Sequence, residues 1–267
     1  LQFQITRSDV VEANYNGSVV VHTPGTNYPV NFIPAQFMGT SYTRDTTAIN
    51  FLSASVTNPF FGIIPASSPL GQKTITRAQL LMPYPEFQTV LRRGDNSGSI
   101  TNEEVFFSWE HRASHGLTVL TNYLISKQMW ARDKKNPQDT MFERRIGSED
   151  RPQQFTLTAS YQLPFGKGLI LGGWNVSGIY TAAKGSVLSW GAVVFTGKNW
   201  NDIVNVQEGQ TIDHWINTAV FARLPNDQPN TTYQYNYLPF SVLPARAHRT
   251  YTLDLCFSQT FELGQGV

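Results

Sequence analysis

Residues 154–164 read QFTLTASYQLP, and they alternate without a mistake. Phe155, Leu157, Ala159, Tyr161 and Leu163 fall on one face, and Gln154, Thr156, Thr158, Ser160 and Gln162 on the other. A period of two is the mark of a β-strand with one apolar and one wet side. The same pattern recurs along the chain. It predicts strands near 1–5, 10–22, 103–113, 117–127, 154–163, 172–183 and 250–263. Val11, Ala13, Tyr15, Val19 and Val21 share one side of the second, with Val20 out of step. Val105, Phe107 and Trp109 share one side of the third, with Phe106 out of step.

The spacing between these strands is as telling as their content. Short turns follow the first, third and fifth strands, whereas the long segments 23–102, 128–153 and 184–249 follow the second, fourth and sixth. Structureless loops beyond about 15 residues are uncommon in compact domains. Transmembrane barrels place short turns at one end and long loops at the other, with strands of about 9–11 residues. The expected fold is therefore all-β, an antiparallel up-and-down transmembrane β-barrel segment of seven strands with long extracellular loops. A water-soluble sandwich of half-buried strands accounts for the alternation, but not for the loop asymmetry.

Composition narrows the classes. Charged residues are only 15% and aromatics 13%, a strand-and-loop composition. A net charge of +1 offers no basic stripe for nucleic acid, so none is expected as a partner. The single cysteine, Cys256, excludes an internal disulfide. No run of about 18 apolar residues exists, which excludes a transmembrane helix and leaves transmembrane strands open. The chain starts at Leu1 with no methionine and no apolar leader, and is expected to be an internal piece of a longer protein.

Several segments carry a family likeness: NPFFG at 58–62, RAQLLMPYPEF at 77–87, HRASHGLTVLTNYLISK at 111–127, DRPQQFTLTASYQLPFGKG at 150–168, GWNVSGIYTAAKGSVLS at 173–189, HWINTAVFA at 214–222 and RTYTLDLCFSQTF at 249–261. In this order the chain resembles the barrel region of TonB-dependent outer-membrane receptors. More narrowly, it resembles the Oar-like group, whose members usually begin with a carboxypeptidase-regulatory-like domain. The resemblance implies a barrel of about 22 strands around a folded plug. It also implies membrane lipid around the wall and a TonB-type energy-coupling complex acting through the plug. An unknown small ligand or peptide would be captured by the outer loops and taken up through a gated lumen. Neither plug, N-terminal domain nor TonB box is expected within these residues, and seven strands fall short of such a wall. A soluble or surface-exposed β-rich binding module is the rival reading.

Motifs for chemistry are weak. Gly94-Asp95-Asn96-Ser97-Gly98-Ser99 resembles the loop around the nucleophile of trypsin-like serine proteases but inserts Asn96, and nothing predicts a converging histidine. His111 and His115 are four apart, yet fall at a strand end and in a turn rather than on one helical face. No enzymatic activity, metal or cofactor is expected. Two residue sets are candidates for ligand handling. Trp190, Trp200 and Trp215 lie in one long loop, where exposed rings stack on a sugar or peptide or else pack the loop itself. Glu12, Glu104, Glu110, Arg112, Asp254 and Glu262 lie on the polar rows, which face the lumen in a barrel.

Overall fold

The computed structural model describes residues 1–113, 116–164, 172–206 and 209–260. Seven strands form one antiparallel sheet in chain order: β1 (Gln2–Gln4), β2 (Asp9–Thr23), β3 (Gly98–Arg112), β4 (Leu117–Ala131), β5 (Gln153–Gln162), β6 (Trp174–Ala183) and β7 (Thr250–Gln259). A short eighth strand, Arg144–Ile146, pairs with the outer end of β4. Every neighbour in the path is also the next long strand in sequence, which is an up-and-down meander. The sheet is not closed: β1 and β7 are its two edges among the described residues.

Register turns the one-strand alternation into continuous rows. Leu157 lies opposite Thr121 and Tyr180; Thr121 opposite Trp109, Trp109 opposite Val11, and Tyr180 opposite Leu253. One residue along, Glu12, Ser108, Asn122, Thr156, Thr181 and Thr252 form the neighbouring polar row on the other face. A slip of one residue would move every side chain to the wrong face, so ten consecutive pairs between β6 and β7 pin the wall.

The strands extend further than alternation alone indicated. β3 begins at Gly98 rather than near 103, and β4 runs to Ala131 rather than 127. Their added outer turns are polar or mixed, Gly98 to Asn102 against Gln128 to Ala131, so backbone pairing continues where the apolar rhythm has stopped. His22 marks where β2 leaves the ladder. It has φ 57°, and the register shifts between Val21 and Thr23, the geometry of a β-bulge. Gly98 faces Thr23 there, and a Cβ on it would lie 2.7 Å from the Thr23 carbonyl oxygen, so the close approach needs glycine. Phe261, Glu262 and Leu263, expected in the last strand, lie outside the described residues, as do His115 and the 165–168 part of the turn after β5.

The core is not in the wall. Among the described residues every buried hydrophobic side chain belongs to the segments between β2 and β3 or between β6 and β7. The long strands instead carry exposed apolar rows: Tyr251, Leu253, Leu255 and Phe257 of β7 are all about 60–65% exposed. The segment between β2 and β3 folds around Ile33, Met38, Leu52 and Ala78, with Tyr233 and Tyr235 from the far segment packed against them. It contains α1 (Thr46–Ser53), whose first turn is capped by Asp45 accepting from the Ala48 amide at 2.9 Å, and α2 (Arg77–Leu81), capped by Thr76. The segment between β6 and β7 has its own core of Phe195, Ile203, Leu238, Val242 and Ala245. A two-stranded ribbon of Val187–Ser189 with Ser241–Arg246 frames it.

Leu52 in α1 is completely buried. Replacement by alanine is expected to cost about 2–5 kcal/mol of local stability. Proteolysis should then cut more readily between residues 24 and 97 while the wall strands keep their hydrogen-exchange protection. Equal loss of protection in β5 would show that the cap and wall unfold as one unit.

Candidate functional site

The three long segments converge at one end of the sheet and are tied into a cap by polar side chains. Gln234 is the central tie and is fully buried. Its amide nitrogen donates to the carbonyl oxygens of Ser41 (3.2 Å) and Thr43 (2.9 Å), and its oxygen accepts from the amides of Asp45 (2.9 Å) and Asn230 (3.2 Å). All four hydrogen-bonding positions of the side chain are thereby filled, which is the condition for burying it without penalty. The Tyr42 hydroxyl donates to the Phe195 carbonyl at 3.0 Å and accepts from the Phe195 amide at 3.1 Å. The segment between β4 and β5 joins through Asn136: its amide donates to the Asn236 carbonyl at 3.2 Å, while the Asn236 amide donates back at 2.8 Å.

One ion pair fastens this cap to the wall. Arg246 Nη2 lies 2.7 Å from Asp150 Oδ2, with the Asp150 side chain 1% exposed. The other carboxylate oxygen accepts from the Gln128 amide of β4 at 2.7 Å. Arg246 also donates to the Gly185 carbonyl at 3.3 Å, just beyond β6. Sequence reasoning missed this pair and Gln234. Asp150 was visible only as a flank of β5, and a buried glutamine has no signature of its own.

The three tryptophans occupy three environments. Trp190 packs on Phe221 with ring centroids 5.2 Å apart, against the core of its own segment. Trp200 opens a short 3-10 helix, stacks on Phe195 at 4.5 Å and is itself partly exposed. Trp215 stands apart: its indole donates to the Arg246 carbonyl and its ring lies 3.8 Å from that of His248. The structure thus groups Trp190 and Trp200 through Phe195 and Phe221, and leaves Trp215 beside the base of the cap.

The charges on the polar rows do share one face. Glu12 accepts from Asn14, Glu104 accepts from Asn102 at 2.8 Å, and Glu110 pairs with Arg112 two residues along the same strand. Asp254 sits opposite Ile179 on that face. Glu262 lies outside the described residues. The outward rows behave differently. Over β2 to β4 the charges sit at the two ends, Asp9 with His111 and Glu103 opposite Lys127, and the outward positions between them are uncharged. Eight residue steps separate those levels, about 27 Å along a strand and about 21 Å along the normal at the usual tilt. That matches the apolar band of about 25 Å in a membrane barrel. Trp109 donates to Asp9 at 3.1 Å, placing an aromatic at the band's lower border.

Among the described residues the serine-containing loop carries no triad geometry. Ser97 donates through both its amide and its hydroxyl to Asp95, and the Tyr28 hydroxyl donates to the same carboxylate at 2.8 Å. These donors, the Ser97 hydroxyl first, hold the Asp95 carboxyl down to about 2. Among the described residues no cluster of three histidine, cysteine or acidic side chains is placed to hold a metal.

Two outcomes follow for the cap. Asp150→Ala leaves the half-buried Arg246 without its carboxylate and is expected to destabilise the cap attachment by about 3 kcal/mol, more than the double change with Arg246→Met; denaturant titration of the two variants measures this. Because Asp95 is depressed on folding, its contribution is complete above about 4 and lost as pH falls toward 2. Protection of the Ser97 amide, taken relative to its intrinsic exchange rate, should hold at pH 5 and fall only below pH 4.

The family described as an outer membrane beta barrel domain matches residues 1–267. No curated protein and no solved structure matches the chain. No helix among the described residues is long and apolar enough to cross a membrane. With an amphipathic meander, an apolar band of bilayer height and a family match over its whole length, the chain belongs to the outer-membrane β-barrel domain family, and its place is the bacterial outer membrane.

Proposed function

We propose that this chain is barrel wall and outer cap of a TonB-dependent receptor of the Oar-like kind. In the intact protein the cap captures a small ligand or peptide, and the lumen passes it on. The observation that carries this reading is the folding of all three long segments into one hydrogen-bonded cap at a single end of the wall. A simple diffusion pore has no use for so large a preformed lid. A receptor gains affinity from it, since a pre-ordered surface loses less entropy on binding. The acidic residues along the polar face, Glu12, Glu104, Glu110 and Asp254, supply polar anchors for a plug or a passing solute. The chemistry is binding and gating rather than catalysis.

The open edges support the same reading. In hydrocarbon an unpaired strand edge is not tolerated, so β1 and β7 require partner strands to complete a larger wall. A plug inside that wall would couple to an inner-membrane energy source of the TonB type.

Conductance measured on the intact protein in planar bilayers tests this reading. A plugged receptor shows little steady conductance until the plug is removed or unfolded with urea. A large, stable conductance from the untreated protein would point to a passive channel, and uptake unaffected by a protonophore would remove energy coupling.

Wall orientation has its own test. Leu157→Arg, mid-strand on the outward row, is expected to cost about 2–4 kcal/mol in vesicles. Thr158→Arg, one residue along on the other face, should be mild. Equal costs would contradict the assignment of faces.

A further inference from the structure

Two clefts meet on the outward side of β5 to β7, and two cations line both of them. The lower cleft, about 180 Å³, lies among Tyr123, Phe155, Ala182 and Tyr251 of the apolar rows. The upper cleft, about 420 Å³, lies at the base of the cap beside Trp215 and Gln210. Lys184 and Arg249 belong to each. They follow directly on the last pair of the β6–β7 ladder, Ala183 opposite Thr250. Their side chains therefore stand where the apolar band ends, at the level of three aromatic rings.

Among the described residues no carboxylate lines either cleft, and neither Lys184 nor Arg249 takes part in an ion pair. The nearby Arg246 is already committed to Asp150. Two unneutralised cations over an apolar surface are matched by an anionic headgroup carrying hydrocarbon chains.

Below them the wall has a slot for such a chain. Ala159 lies opposite Gly178 in the register, so the outward surface dips between larger neighbours. Leu157, Tyr161, Tyr180, Leu253 and Leu255 wall a cavity of about 400 Å³ around this small pair. Ala182 of the lower cleft is four residues above Gly178 on β6, about 13 Å along the strand and within reach of a fatty-acyl chain.

We propose that this face is a binding site for one phosphorylated glycolipid of the outer leaflet. The phosphate sits between Lys184 and Arg249, the sugar occupies the upper cleft against Trp215 and Gln210, and an acyl chain lies in the Ala159–Gly178 slot. The upper cleft favours a sugar-bearing headgroup because it is roomy, carries hydrogen-bonding side chains and has an aromatic ring at its edge. The site rests on the cap standing on the outer side of the membrane.

Native mass spectrometry of the intact protein in detergent, titrated with a phosphorylated disaccharide glycolipid, tests this. One adduct per protein is expected, weakened about tenfold or more by Lys184→Ala with Arg249→Ala. The pair Lys184→Arg with Arg249→Lys should retain it. Ala159→Leu, which fills the slot and leaves the charges, should weaken the intact lipid but not its deacylated form. Equal binding of the dephosphorylated glycolipid, or of phosphatidylglycerol, would overturn the assignment. Full competition by inorganic phosphate alone would reduce it to a free-anion site and overturn it too. Heat-modifiable migration of each variant on gels reports barrel assembly. An assembled variant set with unchanged adducts refutes only the lipid site, whereas recovery of the protein outside the outer membrane refutes the orientation beneath it.

Discussion

In hydrocarbon every backbone amide and carbonyl must find a partner within the protein, and the rest of this structure follows from that requirement. The interior strands β3 to β6 meet it by pairing with the sequence neighbour on each side. Once the ladders are set, the faces are set with them, because successive side chains alternate sides. Apolar residues then point away from the protein, and the ordinary meaning of buried and exposed is reversed for the wall. Leu253 and Phe257 are largely exposed, yet a water-soluble protein would be penalised for such a row. What would be a core in a soluble domain is here moved into the connections.

The wall was therefore legible in the sequence, and the cap was not. Alternation is local: ten residues from Gln154 to Leu163 suffice to reveal it, and the uneven spacing of seven such stretches reveals the meander. The signal fails where the backbone pairs without apolar rhythm. That is why the outer ends of β3 and β4, with Asn102 opposite Gln128, escaped prediction. The cap depends on contacts far apart in the chain. Gln234 reaches Thr43 across 191 positions, and Asn136 meets Asn236 across 100. Amide side chains at such distances leave no periodic trace. The three tryptophans show the same limit from another side, since one residue type in one segment fills a packed core, a half-open stack and a histidine contact.

The division of labour within the cap has a physical consequence. Each of the two large segments is held by its own apolar cluster, whereas the connections between them are mostly hydrogen bonds. Single hydrogen bonds contribute about 1 kcal/mol net, and burying one large apolar side chain about 1.5–3 kcal/mol. Relative displacement of the segments is therefore cheaper than unfolding either one. The shared packing of Tyr233 and Tyr235 against the Leu52 cluster resists that displacement, as does the Tyr42–Tyr237 ring contact, because these are apolar seams between them.

The rim of the wall divides electrically along the sheet. Across β3 and β4, Glu103 faces Lys127, and the cleft beside them holds an acid together with Arg144, so positive charge there is partly offset from within. Across β6 and β7, Lys184 and Arg249 have no acid in their clefts among the described residues. Both edges lie at the same end of the strands, and in the bilayer both meet the same headgroup layer. Equal exposure to that layer would favour equal treatment of charge if solvation were the only concern. The difference is local: the strands with unneutralised cations are also those whose outward surface carries the Ala159–Gly178 depression. Charge left open and shape left open coincide on β5 to β7, and a ligand with both an anionic head and a hydrocarbon tail satisfies the two together.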